Sequence, residues 1–254
     1  MILIKTSKEI EIMRQAGKIL SEVMKKIVPH VHRGVSTLEL DKLAEKLIRE
    51  NGAEPGFKNY ESYGRFYPAT LCTSINNQVV HALPKKNKIL KNGDIIGLDC
   101  GVKYKGYYSD MALTVGVGEI SFQAKRLIQI TKESLEIAIK NIRPEIHLGD
   151  ISWPIQSFVE KNRLSVVRQL CGHGIGKELH EEPNVFNYGD RGTGLILKPG
   201  MVLAIEPMVN EGDWRIETLD DEWTIVTKDG SLSAHFEHTI LITKTGAEVL
   251  TKIN

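Results

Sequence analysis

Cysteine is scarce. Cys72, Cys100 and Cys171 are the only three in 254 residues. So odd and scattered a set argues against a disulfide framework and fits a reducing compartment. Long apolar runs are missing too: nothing approaches the ~18 residues of a membrane-spanning helix. The N-terminal Met1-Ile2-Leu3-Ile4 is followed at once by charge, so it reads as neither a signal peptide nor a span. Neither sign of charge dominates. The 33 Lys and Arg against 32 Asp and Glu leave +1, which gives no general pull toward nucleic acid or anionic membranes. The basic cluster Lys85, Lys86, Lys88 and Lys91 reads as a solvated loop. Neither a GxGxxG phosphate fingerprint nor a GxSxG nucleophile elbow occurs. These absences describe a cytosolic globular protein without nucleotide-fold or serine-hydrolase chemistry.

Two capping boxes organise the first fifty residues. Thr6 with Glu9 precedes Ile12, Met13, Ala16, Ile19, Leu20, Val23, Met24 and Ile27 at helical spacing, predicting a helix over roughly 7–28. Ser36 with Glu39 opens a second, which Gly52 closes. Residues 53–70, rich in Gly, Pro and Tyr, read as loop. Strands are expected near 70–76, 95–102 and 107–117, with a hairpin between the last two at Gly106. Helical patterns return near 122–142 and 150–161, with Pro154 expected in the first turn of the latter. Strand-like runs follow near 165–170, 201–205, 223–227 and 238–242.

This helix-helix-strands order occurs twice, and the sequence repeats with it. Ile89-Leu90-Lys91-Asn92-Gly93 aligns with Ile196-Leu197-Lys198-Pro199-Gly200, and Asp99 then falls on Glu206. Upstream, His81-Ala82-Leu83-Pro84 resembles His180-Glu181-Glu182-Pro183. A single domain over 1–254 is expected, built from halves of about 1–118 and 119–254.

The chemical anomaly is carboxylates inside apolar strands. Asp99 follows Ile95-Ile96-Gly97-Leu98, Glu206 follows Met201-Val202-Leu203-Ala204-Ile205, and Glu237 precedes His238-Thr239-Ile240. Burying an ionised carboxylate costs several kcal/mol unless a cation or metal pairs with it. One such residue reads as a strand end or an ion pair; three point to a site. A hairpin centred between Tyr104 and Lys105 would set Asp99 opposite Asp110. A bare pair of like charges there destabilises, and a divalent cation reverses the sign. His173, held among Gly172, Gly174 and Gly176, has space beside its imidazole, and His180 lies seven residues on.

Taken together, these segments resemble type I methionine aminopeptidases over nearly the whole chain. Those carrying the resemblance are Thr73-Ser74-Ile75-Asn76 with Val79-Val80-His81, Asp99 and Asp110 eleven apart, and Gly172-His173-Gly174-Ile175-Gly176 with His180-Glu181-Glu182-Pro183. Ile205-Glu206-Pro207-Met208, and Ser231-Leu232-Ser233-Ala234 with Phe236-Glu237-His238-Thr239, complete the set. The resemblance implies the α/β (α+β) pita-bread fold, with duplicated halves and pseudo-two-fold symmetry about a central antiparallel sheet. It implies two divalent metal ions held by Asp99, Asp110, His173, Glu206 and Glu237, with Asp110 and Glu237 bridging. This mostly hard-oxygen donor set suits Co, Mn, Fe or Zn. A water activated by both metals would attack the first peptide bond, removing the initiator methionine from nascent proteins. Glu206 would shuttle the proton, His180 would hydrogen-bond the carbonyl or oxyanion, and His81 would face the scissile amide or the amine.

By the same resemblance, Tyr60, Tyr67, Cys72, Leu179 and Trp223 would wall the methionine pocket. The sequence departs from the family there. Leu179 and Leu170 stand where aromatics or methionine are usual, and the run Asn59–Pro68 is about four residues longer. The expected partners are N-terminal Met peptides of nascent chains and, through them, the ribosome; neither nucleic-acid reading nor membrane attachment is expected. The expected state is a cytoplasmic monomer. The competing readings are an Xaa-Pro peptidase and a non-catalytic binding protein on the same fold.

Overall fold

The computed structural model describes residues 4–62 and 64–253. Met1 to Leu3 of the apolar N-terminal run, Tyr63 of the lengthened 59–68 run, and Asn254 lie outside the described residues. Both predicted capping boxes form. Thr6 and Ser36 accept from the backbone N–H of Glu9 and Glu39, whose side chains accept in return from the cap backbones. They open α1 (Ser7–Ile27) and α2 (Thr37–Glu50). Glu9 also accepts from the Tyr107 hydroxyl at 2.7 Å, so one carboxylate caps α1 and ties it to the sheet beneath. The second half repeats the pair as α3 (Phe122–Asn141) and α4 (Gly149–Lys161). Pro154 corrects the sequence expectation. It is the sixth residue of α4, past the first turn, and it deprives the Asp150 carbonyl of its helical donor.

Each half holds an antiparallel trio of strands. In the first, Ile95–Tyr104 lies between Leu71–Ile75 and Tyr107–Gly116. In the second, Val202–Ile205 lies between Gly172–Gly174 and His238–Ile242. The repeated Leu-Lys-x-Gly segment turns into each middle strand, with Gly93 and Gly200 at φ 93° and 92°. One residue of that repeat bridges back to the inter-helix loop in each half: Ile89 to Ser36, and Ile196 to His147. The repeat read in the sequence is therefore a structural duplication. The outer strands of the two trios meet along a central seam. There the Glu237 N–H donates to the Ala112 carbonyl, and the Asp110 N–H donates to Thr239 Oγ1, each at 2.9 Å. The Thr239 hydroxyl donates in turn to the Asp110 carbonyl at 2.8 Å.

Two apolar cores lie under the two helix pairs, one including Leu20, Met24, Ile48 and Leu98, the other Leu127, Ile155, Leu203 and Ile240. A third seals the ground between the halves with Met13, Phe57, Tyr67, Cys72, Leu179 and Leu241. The predicted loop 53–70 carries short strands. Glu54–Pro55 adds an edge to the first trio, and Glu61–Ser62 pairs with Arg65–Phe66. The run expected at 165–170 is extended only over Ser165–Val166, and that at 223–227 only over Ile225–Thr227. Among the described residues, no helix is long and apolar enough to cross a membrane.

The hairpin register differs from the expectation by two residues. The turn is Lys105-Gly106, both with positive φ (48° and 82°), and Tyr104 pairs with Tyr107. A two-residue turn of this hand matches the twist of the flanking strands, and glycine meets its conformational demand. Asp99 consequently pairs with Ala112, and Asp110 with Gly101. Because side chains alternate, a shift of two leaves both carboxylates on one face, as diagonal neighbours.

Candidate metal centre and substrate pocket

A cavity of about 550 Å³, counting its mouth, opens where the two trios meet. Every residue expected to hold metal, act on substrate or wall the methionine pocket lines it. Asp99, Asp110, Glu206 and Glu237 come from the four central strands or their ends, and His81, His173 and His180 face them. Tyr60, Tyr67, Cys72, Leu179 and Trp223 line the remaining wall with Phe57, which the sequence reading did not name.

The four carboxylates are crowded; three are buried, and the Glu206 side chain is 14% exposed. Asp99, Asp110 and Glu237 are 8%, 4% and 2% exposed. Burial pushes Asp110 up to about 7. Burial, and then the neighbouring carboxylates, raise Asp99, Glu206 and Glu237 well above the usual range. Desolvation alone cannot favour such a cluster, and an unscreened set of like charges worsens it. Asp99 Oδ1 and Glu237 Oε1 are buried without a hydrogen-bond partner.

His173 shows what the cluster fits. Its Nδ1 lies 2.9 Å from the Gly174 carbonyl, which can only accept, so Nδ1 carries the hydrogen and Nε2 presents a lone pair. Burial lowers the imidazole to about 3, so it is neutral at pH 7. That lone pair sits 3.6 Å from Glu206 Oε1. A lone pair facing a carboxylate is repulsive unless a cation lies between them. Donor atoms of Asp110, His173 and Glu237 lie within 4.8 Å of one another. Carboxylate oxygens with one imidazole nitrogen suit a first-row divalent ion.

Gly172 is indispensable to this placement. A Cβ there would stand 2.3 Å from the Ala204 carbonyl oxygen, so only glycine lets the His173 strand approach the Glu206 strand.

The other histidines serve differently. His81 has a positive φ of 58°, a strained conformation for a non-glycine residue, and burial lowers its pKa to about 4. His180 stands at the mouth with protein packed behind it, and that desolvation takes it to about 4. Its ring meets His173 edge to face with centroids 4.4 Å apart, and its Nδ1 lies 2.8 Å from the Tyr60 hydroxyl. The sequence reading missed His235. It is 3% exposed, with Nε2 3.6 Å from Glu206 Oε2, while His173 approaches the other oxygen of that carboxylate. Its only sequence signal was the His-x-Glu spacing to Glu237, which puts both on one face of an extended segment.

The apolar wall is an aromatic stack. Trp223 meets Tyr67 edge to face at 5.1 Å, Tyr67 meets Phe57 at 6.4 Å, and Leu179 packs in the same cluster at 2% exposure. The lengthened 59–68 run lies against this wall: Arg65 sits over the Trp223 ring at 5.7 Å and pairs with Glu222 at 3.1 Å. Leu170 lies outside the cavity lining and packs with Val79, Val80 and Met208.

Comparison with known proteins agrees with this geometry. Residues 11–244 match the model of metallopeptidase family M24. The chain is 51% identical to a methionine aminopeptidase of Clostridium perfringens and 46% to methionine aminopeptidase 1 of Bacillus subtilis, each over the full length of both chains. The crystal structure of methionine aminopeptidase from Thermotoga maritima superposes with a TM-score of 0.96 at 48% identity, covering 99% of this chain and 100% of that one. Its duplicated halves are those of the pita-bread fold, and the chain belongs to metallopeptidase family M24.

Proposed function

We propose that this chain is a metal-dependent methionyl aminopeptidase that removes the initiator methionine from nascent proteins. The observation that carries the reading is the juxtaposition, in one cavity, of a carboxylate–imidazole floor and an aromatic wall. Full-length identity to methionine aminopeptidases supports it.

In this reading Asp99, Asp110, His173, Glu206 and Glu237 hold two divalent ions, of Co, Mn, Fe or Zn. When bound, such ions acidify water and polarise a carbonyl. The protein's own groups do the rest. Glu206 accepts the proton of the attacking water and returns one to the leaving amine. His180 hydrogen-bonds the scissile carbonyl oxygen as negative charge develops there. His81 faces the scissile amide. Tyr60, Tyr67, Cys72, Leu179 and Trp223 enclose the methionine side chain, whose thioether gains from aromatic neighbours. The chain acts as one catalytic unit of two halves meeting near residue 118, a monomer of the cytoplasm working on chains that emerge from the ribosome.

The test is kcat/KM for Met-Ala-Ser, Leu-Ala-Ser, Met-Lys-Ser and Ala-Pro-Ser with added divalent metal. Met-Ala-Ser leads. Leu-Ala-Ser follows by a modest factor, because one apolar group more or less discriminates by only ~1–3 kcal/mol and Leu179 leaves the pocket wider than an aromatic would. Met-Lys-Ser fails, because its second side chain must fit beside His81 and His180. Faster cleavage of Ala-Pro-Ser would move the assignment to the proline-directed relatives, and cleavage of none would favour a binding protein.

A further inference from the structure

His173 and His180 face the same cavity with ring centroids 4.4 Å apart, yet their Nδ1 atoms meet different kinds of partner. The Gly174 carbonyl forces hydrogen onto His173 Nδ1 and leaves a lone pair on Nε2. His180 Nδ1 instead meets the Tyr60 hydroxyl at 2.8 Å. A hydroxyl can donate or accept. Two chemical arguments decide which it does. A phenol is a better donor than acceptor toward a neutral imidazole, because its oxygen lone pair is drawn into the ring. The other ring nitrogen of His180 serves the cavity, where the scissile carbonyl oxygen of the proposed substrate can only accept, so an N–H is matched to it and a lone pair is not.

We propose that Tyr60 is a positioning residue that donates its hydroxyl hydrogen to His180 Nδ1, holding His180 as the Nε2–H tautomer, opposite to that of His173. The two imidazoles are thereby assigned different work: His173 Nε2 is a lone-pair donor for a metal, and His180 Nε2 is a hydrogen-bond donor for substrate. This rests on the peptidase reading above and goes beyond the pocket-wall role expected of Tyr60. The backbone holds the phenol in register. The Tyr67 N–H donates to the Tyr60 carbonyl at 3.0 Å, the Asn59 N–H donates to the Tyr67 carbonyl at 2.8 Å, and Asn59 has a φ of 66°. Tyr60 and His180 also meet edge to face at 5.2 Å, so Tyr60→Phe keeps the ring contact and removes only the hydroxyl.

The experiment is nitrogen NMR of the Zn-loaded, [15N]histidine-labelled full chain, with the His180 signals identified by their loss in His180→Gln, together with steady-state kinetics on Met-Ala-Ser. Wild type should show the Nε2–H pattern for His180. Tyr60→Phe should show loss of that single tautomer, with kcat down about tenfold and KM nearly constant, the loss expected for one hydrogen bond. An Nδ1–H pattern in wild type overturns the proposal, and so does a Tyr60→Phe enzyme whose His180 keeps its tautomer, whatever its rate. If wild type cleaves no methionyl peptide, the peptidase reading fails, while the tautomer is still read from the spectrum.

Discussion

Asp110→Asn should make the metal-free protein more stable at pH 8 while weakening its response to metal. The side chain is 4% exposed, and burial holds its carboxyl at about 7. An unfolded aspartate titrates near ~3.9. A raised carboxyl contributes stability that is complete below the unfolded value and lost as pH rises through the folded one. Three units correspond to ~4 kcal/mol, and because Asp99 shares the proton about half, ~2 kcal/mol, is assigned to Asp110. About two of those three units fall between pH 5 and pH 8, so at about 2–4 °C per kcal/mol for a chain of this length, the Asp110 share of the metal-free wild type's loss in Tm over that window is about 3–5 °C. Asp110→Asn should lack that share and lose less than wild type, keeping the part that the raised Asp99, Glu206 and Glu237 contribute. It keeps its own stabilising contact, since an amide oxygen can still accept the Met111 N–H that Oδ1 accepts at 2.9 Å. Added Mn or Zn should reverse the order, because the wild type gains by linkage and the variant gains little. Scanning calorimetry on chelated and metal-loaded protein at both pH values decides it. A metal-free wild type with a flat Tm, or an Asp110→Asn protein less stable than wild type at pH 8 without metal, would refute the reasoning.

Chelation should abolish peptidase activity, and a panel of Co, Mn, Fe and Zn should restore it unequally; full turnover in rigorously metal-free protein would dismiss the cluster of Asp99, Asp110, His173, Glu206 and Glu237 as the reactive centre. His180→Ala should lower kcat roughly a hundredfold with little change in KM, since a donor aimed at the oxyanion is worth ~3 kcal/mol and acts mainly in the transition state; an unchanged kcat assigns His180 to structure. Gly172→Ala should cost at least ~2 kcal/mol in urea unfolding, because a Cβ 2.3 Å from the Ala204 carbonyl oxygen drives the two central strands apart; a wild-type midpoint would show that the strands have room to give.

The sequence by itself determined what depends on neighbours in the chain. The capping boxes at Thr6 and Ser36 need only residues three apart, and α1 and α2 begin where they predict. The repeated Leu-Lys-x-Gly carries its own turn, so the duplication was legible. Carboxylates in apolar strands are locally anomalous, and Asp99, Asp110, Glu206 and Glu237 could be named without coordinates. Tertiary structure decided whatever depends on residues far apart in the chain. The strand Gln78–Val80 exists because Ile225–Thr227, from the other half, pairs with it. The edge Glu54–Pro55 exists because Val102 and Lys103 offer unpaired backbone. The hairpin register followed the two left-handed residues at 105 and 106, a backbone demand that apolar spacing does not express. His235 reaches Glu206 only because Ser233–His235 pairs with Met208–Asn210. Opposite tautomers of His173 and His180 depend on a carbonyl one residue away and a phenol 120 residues away, and only folding brings the second within reach.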